Sequence, residues 1–419
     1  MRTIDAWATK GHVTVAKTGN ERTVTFLPEP PRANRRYTII SADDHVVEPP
    51  DMFVDRIPSR LAERAPRVME KADGSEVWVY DDVELPKIGF NSVVGRPVDE
   101  FGFEPVRFDE MRRGSWDIHA RIADMDLNGV YASLNFPSFL AGFAGQRLQL
   151  VTKDQELAMA SVRAWNDWHL EAWRGPYPDR IIACQIPWLL DPVVGADMIR
   201  ENAARGFTAV SFPESPAGHG LPTMHSGYWD PFIEACVETD TVINLHVGSS
   251  GQSPMTTDDA PDDVPGVLFF AYALFAATDW LYSGYPVRYP TLKICLSEGG
   301  IGWVAGLMDR LDHMLSYHSM FGTWTSDLTP AEVLKRNFWF CALEDPSSML
   351  QIDRIGVENI LLEQDYPHCD GTWPRTQEIV DRHVHGLTPE AIERITWKNA
   401  SELYRHPVPA AVIANPDAF

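Results

Sequence analysis

The chain has 419 residues, of which 44% are hydrophobic and 11% aromatic, so it can bury the core of one large domain and is not expected to be disordered. A formal net charge of −23 argues against nucleic acid as a partner. The N-terminus lacks the apolar segment of a signal peptide, and five scattered cysteines without a CxxC pair predict a cytoplasmic protein. The longest apolar stretch, residues 266–277, is shorter than the ~20 residues that cross a bilayer, so it predicts a buried helix and no membrane partner.

Runs of β-branched and apolar residues alternate with segments of helical apolar spacing along most of the chain. The β-like runs are residues 37–43, 129–136, 181–187, 207–213, 241–247, 292–298, 337–343 and 358–365. Strand–helix alternation repeated eight times favours a parallel barrel over a doubly wound sheet. The sequence therefore predicts an α/β protein with a (β/α)₈ TIM barrel.

Several segments exceed a minimal barrel. We expect an N-terminal extension at residues 1–36, the barrel at 37–405 and a C-terminal tail at 406–419. Two long insertions, about 71–116 and 249–265, follow the first and fifth runs. Long loops after barrel strands lie over the active-site mouth, so these insertions are expected to act as lids or substrate contacts.

Side chains that bind metals follow the runs at positions far apart in the chain. Asp43 and His45 are two residues apart on a strand and are expected to share the face toward the barrel axis, with Asp44 turned away. His246 ends the fifth run and Asp365 the eighth. Two carboxylates and two imidazoles suit one divalent ion, Zn²⁺ first and Mn²⁺ or Fe²⁺ as competitors. A structural polar network is the alternative interpretation.

Glu298 ends the sixth run and is followed by two glycines. We expect it to be a catalytic acid or base beside metal-bound water, with Asp365 as the second catalytic candidate. Alternatively, Glu298 is a metal ligand, or it orients His246.

Four further side chains are predicted to contact substrate. Trp303 follows the Glu298 turn and offers an aromatic wall, and His368 lies three residues past Asp365. His219 and His225 lie in a glycine-containing loop after the fourth run, where a solvated position is the alternative.

Five motifs follow one another along roughly residues 37–405: SADDHVVEPPDMF, ADMDLNGVYASLNFPS, VINLHVG, LSEGGIGWV and QDYPHCDG. In order and spacing they resemble the motifs of the metal-dependent amidohydrolase superfamily, amidohydrolase family 2. The branch they resemble is that of aminocarboxymuconate-semialdehyde decarboxylase. The resemblance implies one divalent cation, commonly zinc, at Asp43, His45, His246 and Asp365, and a homodimer. Family members include hydrolases and nonoxidative decarboxylases.

Glu298 departs from this pattern, because the decarboxylases of the family generally have a histidine there. A glutamate carboxylate repels a substrate carboxylate unless it is protonated. The sequence therefore favours a metal-dependent hydrolase that acts on a small aromatic or apolar molecule through metal-activated water. The alternative is a metal-dependent decarboxylase of an aromatic or unsaturated carboxylic acid, and a third interpretation is a metal-stabilised scaffold.

Overall fold

The computed structural model describes most of the chain. The described residues are 2–3, 24–252, 254–257, 259–261, 263–317 and 322–419. Most of the expected N-terminal extension, residues 4–23, therefore lies outside the described residues, as do residues 253, 258 and 262 of the second insertion.

A parallel sheet of nine strand segments forms the centre of the protein. In chain order the segments are β2 (Ile40–Val46), β6 (Ala132–Pro137), β7 (Ile181–Ile182), β8 (Cys184–Gln185), β9 (Ala209–Pro213), β10 (Val242–His246), β11 (Ile294–Ser297), β12 (Phe338–Ala342) and β13 (Ile360–Leu362). Their order in the sheet is β7-β6-β2-β13-β12-β11-β10-β9-β8. All neighbours pair in parallel, as the strand–helix alternation predicts.

The two ends of this order belong to one strand, and this closes the sheet into a barrel. β7 pairs with β6, and β8 pairs with β9 on the other side. Only Ala183 separates β7 from β8, and its carbonyl accepts hydrogen bonds from the backbone of Thr208 and Ala209. The ring therefore contains eight strands, and the predicted (β/α)₈ barrel is confirmed.

Helices surround the barrel and connect its strands. The helices are α1 (Ile118–Asn128), α2 (Gln146–Leu150), α3 (Gln155–Trp168), α4 (Pro192–Arg205), α5 (Asp230–Glu238), α6 (Asp263–Val267), α7 (Ala271–Tyr282), α8 (Tyr285–Arg288), α9 (Val304–Leu315), α10 (Pro330–Asn337), α11 (Ile352–Ile355), α12 (Thr376–His383), α13 (Pro389–Glu393), α14 (Asn399–Leu403) and α15 (Ala410–Ala414). The Asp117 carboxylate caps the start of α1, and Gly129 ends it in the left-handed conformation that glycine adopts without strain.

A small second sheet combines two strands of the first insertion with one strand just before it and one at the N-terminus. Its strands are β1 (Arg2–Thr3), β3 (Arg67–Glu70), β4 (Glu76–Tyr80) and β5 (Val83–Leu85), in the order β1-β5-β4-β3. The buried side chains Trp78 and Tyr80 of β4 anchor this sheet in the main hydrophobic core.

Two details differ from the sequence-based expectation. The first strand does not end at Asp43 but continues to Val46, with a bulge between Ser41 and Asp44. The apolar stretch 266–277 was predicted to be one buried helix, and this prediction is wrong: it is split between α6 and α7, with Val267 72% and Phe275 59% exposed. Among the described residues no helix is long and apolar enough to span a bilayer.

Candidate metal centre

Four side chains from three parts of the barrel meet at the carboxyl ends of its strands. Asp43 and His45 lie on β2, His246 is the last residue of β10, and Asp365 follows β13 by three residues. All four are completely buried. Because parallel strand ends converge in a closed barrel, positions more than 300 residues apart form one cluster.

The donor atoms of these side chains point at one another. The Nε2 atom of His45 lies 3.0 Å from Nε2 of His246, 3.3 Å from Oδ1 of Asp365 and 3.6 Å from Oδ1 of Asp43. The Nε2 atom of His246 lies 3.4 Å from Oδ2 of Asp43. The structure thus brings together the four side chains that were predicted to be ligands.

The other nitrogen of each imidazole faces a backbone carbonyl. Nδ1 of His246 lies 2.7 Å from the Val247 carbonyl, and Nδ1 of His45 lies 3.5 Å from the Pro137 carbonyl. A carbonyl only accepts, so Nδ1 carries the hydrogen and Nε2 presents its lone pair to the cluster. Burial lowers the pKa of His246 to about 3 and that of His45 well below its usual value, so both rings are neutral, as metal ligands must be.

The two carboxylates lack hydrogen-bond donors. None of the oxygens of Asp43 and Asp365 accepts a hydrogen bond from a described residue. Burial raises the pKa of both carboxyls, and nearby carboxylates, among them Glu363, raise them further. Buried lone pairs that converge without donors are costly unless a cation binds them, so the residues present fit a divalent ion. Their nitrogen and oxygen atoms suit Zn²⁺, Mn²⁺ or Fe²⁺.

Glu298 stands at the edge of this cluster. Its Oε2 atom lies 3.2 Å from Nε2 of His246, and its side chain is 9% exposed, so it reaches toward solvent where the four predicted ligands do not. Its backbone has a positive φ of 57°, which an L-residue adopts at a cost, and its N–H donates to the Glu363 carboxylate at 2.9 Å. Burial, then the charges of Asp365 and Asp370, raise the pKa of Glu298 well above its usual value.

His368 joins the cluster from the turn after β13. Its Nδ1 atom lies 2.9 Å from Oδ1 of Asp365, and its ring centroid lies 3.9 Å from that of His45. Burial lowers the pKa of His368 to about 4. This histidine therefore contacts two of the four predicted ligands, Asp365 and His45.

Asp44 points away from the donors, as strand alternation predicts. Its carboxylate accepts hydrogen bonds from the Ser41 hydroxyl at 3.0 Å, the Gln364 amide at 2.8 Å and the Tyr366 backbone at 3.3 Å. Burial raises the pKa of Asp44 to about 6, and nearby Arg121 opposes the shift. These contacts fasten β2 to the segment that carries Asp365.

The other three predicted substrate contacts, His219, His225 and Trp303, each have a polar partner outside the four predicted ligands. His219 contacts the Ser249 carbonyl through Nε2 at 2.6 Å, which supports the loop after β10. His225 is half-exposed and pairs with Asp279 at 2.6 Å. Trp303 donates to the Gly299 carbonyl. Both Trp303 and His225 line a surface cleft of about 1010 Å³ beside α7, a cleft whose lining includes none of the four predicted ligands.

An aromatic wall, consisting of Phe90, Phe136 and Phe143, stands beside the cluster. The Phe143 ring centroid lies 4.3 Å from that of His246 and 4.7 Å from that of His45. Phe136 lies 5.0 Å from His246, and Phe90 lies 5.7 Å from Phe143.

Two acidic residues at the centre were not among the predicted site residues. Glu363 is buried, and its Oε1 atom accepts no hydrogen bond from a described residue. Glu363 lies two residues before Asp365. The same spacing predicted that Asp43 and His45 share a face, so the sequence could have predicted that Glu363 and Asp365 lie on the same side. Asp370 is exposed in the next turn, and one of its carboxylate oxygens lies within 4.8 Å of ligand atoms of Glu298 and Asp365.

Comparison with known proteins gives the family. The chain matches the amidohydrolase family profile over residues 77–406. The chain therefore belongs to the amidohydrolase family, as the resemblance of its motifs implies. The match contains His246, Glu298 and Asp365 but begins after β2, so Asp43 and His45 lie outside it. Comparison with curated proteins gives no match.

Solved structures share the fold. An amidohydrolase from Mycobacterium avium subsp. paratuberculosis K-10 aligns with a TM-score of 0.69 at 24% identity, covering 88% of this chain and 99% of that chain. The 5-carboxyvanillate decarboxylase of Sphingomonas paucimobilis has a TM-score of 0.60 at 18% identity, with coverages of 88% and 99%. A dihydroxybenzoic acid decarboxylase from Polaromonas sp. JS666, with bound manganese and the inhibitor 2-nitroresorcinol, has a TM-score of 0.61 at 18% identity, with coverages of 88% and 97%.

Proposed function

We propose that this protein is a metal-dependent decarboxylase that removes the carboxyl group of an aromatic acid without oxidation. The observation that carries the proposal is the aromatic wall, because the Phe143 ring lies directly against both histidines of the donor cluster. A planar substrate ring that packs on this wall places its carboxylate beside the donors. Structural relatives named as decarboxylases of 5-carboxyvanillate and dihydroxybenzoic acid support this reaction class.

Asp43, His45, His246 and Asp365 are the proposed ligands of one divalent ion. Held by these four side chains, the ion would supply positive charge that stabilises a substrate carboxylate near the cluster. Zn²⁺ is the first expectation from the donor types, and the manganese in a relative makes Mn²⁺ the second ion to test.

Glu298 is the proposed proton donor. Burial and its acidic neighbours favour the neutral carboxyl, and a neutral carboxyl does not repel the substrate carboxylate. In this mechanism Glu298 gives its proton to the ring carbon that bears the carboxylate. The bond between that carbon and the carboxylate carbon then breaks, its electron pair returns to the ring, and CO₂ leaves. The exposed edge of Glu298 lets it regain a proton from water.

The sequence alone favoured a hydrolase because of Glu298, and the comparisons favour the decarboxylase alternative instead. A hydrolase needs Glu298 ionised so that it can accept a proton from water. After burial, the charges of four nearby carboxylates raise the pKa of Glu298 and favour its protonated form; they belong to Asp365, Asp370, Glu363 and Glu214.

Isotope labels separate the two reactions. Protein loaded with Mn²⁺ or Zn²⁺ is given hydroxybenzoic acids labelled with ¹³C in the carboxyl group, and a parallel panel of esters and lactones in H₂¹⁸O. We expect ¹³CO₂ from the acids and, in D₂O, one deuterium at the former carboxyl position. Incorporation of ¹⁸O from the second panel without CO₂ release would identify a hydrolase, and a metal-loaded protein inert toward both panels would support the scaffold interpretation.

A further inference from the structure

The centre contains more potential metal ligands than one ion uses. Three groups of side chains each place their ligand atoms within 4.8 Å of one another. The groups are Asp43–His45–His246, His45–Asp365–His368 and Glu298–Asp365–Asp370. A zinc site uses four or five ligands, whereas these groups contain seven different side chains.

The third group differs from the other two in chemistry and in position. Glu298, Asp365 and Asp370 offer only carboxylate oxygens, whereas the other groups contain imidazole nitrogens. Asp365 is buried, Glu298 is partly exposed, and Asp370 is exposed. The oxygen-only group therefore extends from the buried centre toward solvent.

Asp365 has a second carboxylate oxygen that is available to bind another ion. Its Oδ1 atom is the one that lies against His45 and His368, at 3.3 Å and 2.9 Å. Its Oδ2 atom, although completely buried, accepts no hydrogen bond from a described residue. A buried carboxylate oxygen without a donor calls for a cation or a proton.

The charges of the group agree with this geometry. Ligand oxygens of the three carboxylates lie within 4.8 Å of one another. Like charges at this distance repel, and a cation among them would relieve that repulsion.

We propose that Glu298, Asp365 and Asp370 form a second and weaker site for a hard divalent cation, with Asp365 shared between the two ions. Oxygen-only ligands favour Mg²⁺, Mn²⁺ or Ca²⁺ over Zn²⁺. A carboxylate shared by two ions is consistent with the spacing of about 3.5–4 Å found in two-metal sites. The exposure of Asp370 makes the outer ion exchangeable.

The second ion inhibits the reaction. This consequence rests on the proposed function, in which Glu298 delivers the proton. A cation bound to the Glu298 carboxylate occupies the oxygen that would carry that proton, so occupancy of the outer site lowers turnover.

Calcium binding tests the site without reference to activity. Protein carrying one equivalent of tightly bound Mn²⁺ is titrated with Ca²⁺ by isothermal titration calorimetry. We expect one Ca²⁺ per chain, with a dissociation constant on the order of 10⁻⁴–10⁻³ M as for weak carboxylate sites. Asp370→Asn should weaken binding at least tenfold, and Glu298→Gln should do the same. Asp353→Asn, which removes an exposed aspartate on α11, should leave it unchanged.

Each result decides between alternatives. A wild-type protein that holds Mn²⁺ but no Ca²⁺, or an Asp370→Asn protein that binds Ca²⁺ like wild type, overturns the second site and leaves the metal centre intact. A protein that holds no first ion overturns the metal centre itself. Turnover of each protein is also compared with and without Ca²⁺. Ca²⁺ should slow wild type and Asp353→Asn but leave the rate of Asp370→Asn unchanged. If Ca²⁺ binds wild type without slowing it, Glu298 does not coordinate the second ion.

Discussion

The Nε2 atoms of His45 and His246 lie 3.0 Å apart, although 201 residues separate the two histidines in the chain. Each ring turns its Nδ1 hydrogen toward a backbone carbonyl, at Pro137 and Val247, so the two Nε2 lone pairs face each other. Facing lone pairs repel, and a cation bound between them replaces the repulsion with two bonds. We therefore expect the proposed ion to be bound most tightly when both imidazoles are present.

Removal of His246 should abolish tight metal binding. The His246→Ala protein is expected to retain less than a tenth of the metal bound by wild type, because the remaining donors no longer enclose the ion. Metal content after dialysis, measured by plasma mass spectrometry, checks this. His225→Ala is the matched control, since His225 is half-exposed and pairs with Asp279 instead of with the four predicted ligands. Stoichiometric metal in His246→Ala would remove His246 from the ligand set.

Glu298→Gln should separate metal binding from turnover. Glutamine has the shape of glutamate but no transferable carboxyl proton, so metal content should stay at one tightly bound ion while kcat falls about 10²- to 10⁴-fold. Glu344→Gln, at an exposed glutamate that pairs with Arg382, is the control. Full activity in Glu298→Gln would show that the reaction does not use this proton.

Phe143→Leu should weaken substrate binding more than it slows the reaction. Leucine keeps an apolar side chain but loses the ring that faces the substrate, and stacking is worth roughly 0.5–1.5 kcal/mol. We expect KM to rise about 2- to 10-fold with kcat changed less. Phe108→Leu is the control, because Phe108 is equally buried but packs against Trp116 in the small-sheet region. Equal kinetics for the two variants would argue against ring binding at this wall.

Two glycines near the site should respond in opposite directions to alanine. A Cβ at Gly299 would stand 2.3 Å from the Cβ of Ala273, so α7 must move away from the Glu298 turn. Such overpacking costs about 1–3 kcal/mol of unfolding free energy. A Cβ at Gly306, inside α9, meets nothing within 4 Å, and alanine there should add about 0.5–1 kcal/mol. Denaturant unfolding of both variants measures the difference, and a stable Gly299→Ala would show that α7 yields freely.

Glu214 should make stability depend on pH. Its Oε1 atom accepts hydrogen bonds from the Gly248 backbone and the Ser250 hydroxyl, but its buried Oε2 has no donor among the described residues. Burial raises its pKa from 4.5 to about 7.

The sign follows from proton binding. Between pH 4.5 and about 7 the unfolded chain loses this proton while the folded chain keeps it, so the contribution of Glu214 to stability falls as pH rises, by at most about 3 kcal/mol. Glu214→Gln removes this contribution. The unfolding free energy of wild type should therefore decline relative to that of the variant across this window. Parallel curves for the two proteins would contradict the raised pKa.

The barrel could be predicted because its strands are covered on both faces and so read as continuous apolar runs. The first strand was cut short at Asp43, because a run of polar residues usually marks a strand end. Here Asp43 and His45 face the donor cluster, and Asp44 hydrogen-bonds Ser41 and Gln364, so the strand continues through them. The stretch around α7 was misjudged because an apolar composition does not distinguish a buried helix from one that leaves Phe275 at the surface.

The gathering of the predicted ligands follows from topology, since strand ends in a closed barrel must meet. Their role as ligands stays a prediction until a metal is measured. Loop residues could not be placed in this way, because periodicity does not determine the path of a loop. His225 and Trp303 line the cleft beside α7, and their contact with substrate stays a prediction. A carboxylate oxygen of Asp370, in the turn after His368, lies within 4.8 Å of one of Asp365.

The closure of the barrel at Ala183, between β7 and β8, also restricts how copies of this protein can associate. Because β7 and β8 bond to opposite neighbours, every barrel strand has a partner on both sides, and the ring offers no open edge for strand addition. Among the described strands, open edges occur only in the small sheet, where β3 presents exposed Arg67 and Glu70. Charged side chains on an edge discourage pairing with another chain. The architecture therefore leaves helices and loops as the surfaces for assembly, and it resists the strand-to-strand aggregation that threatens open sheets.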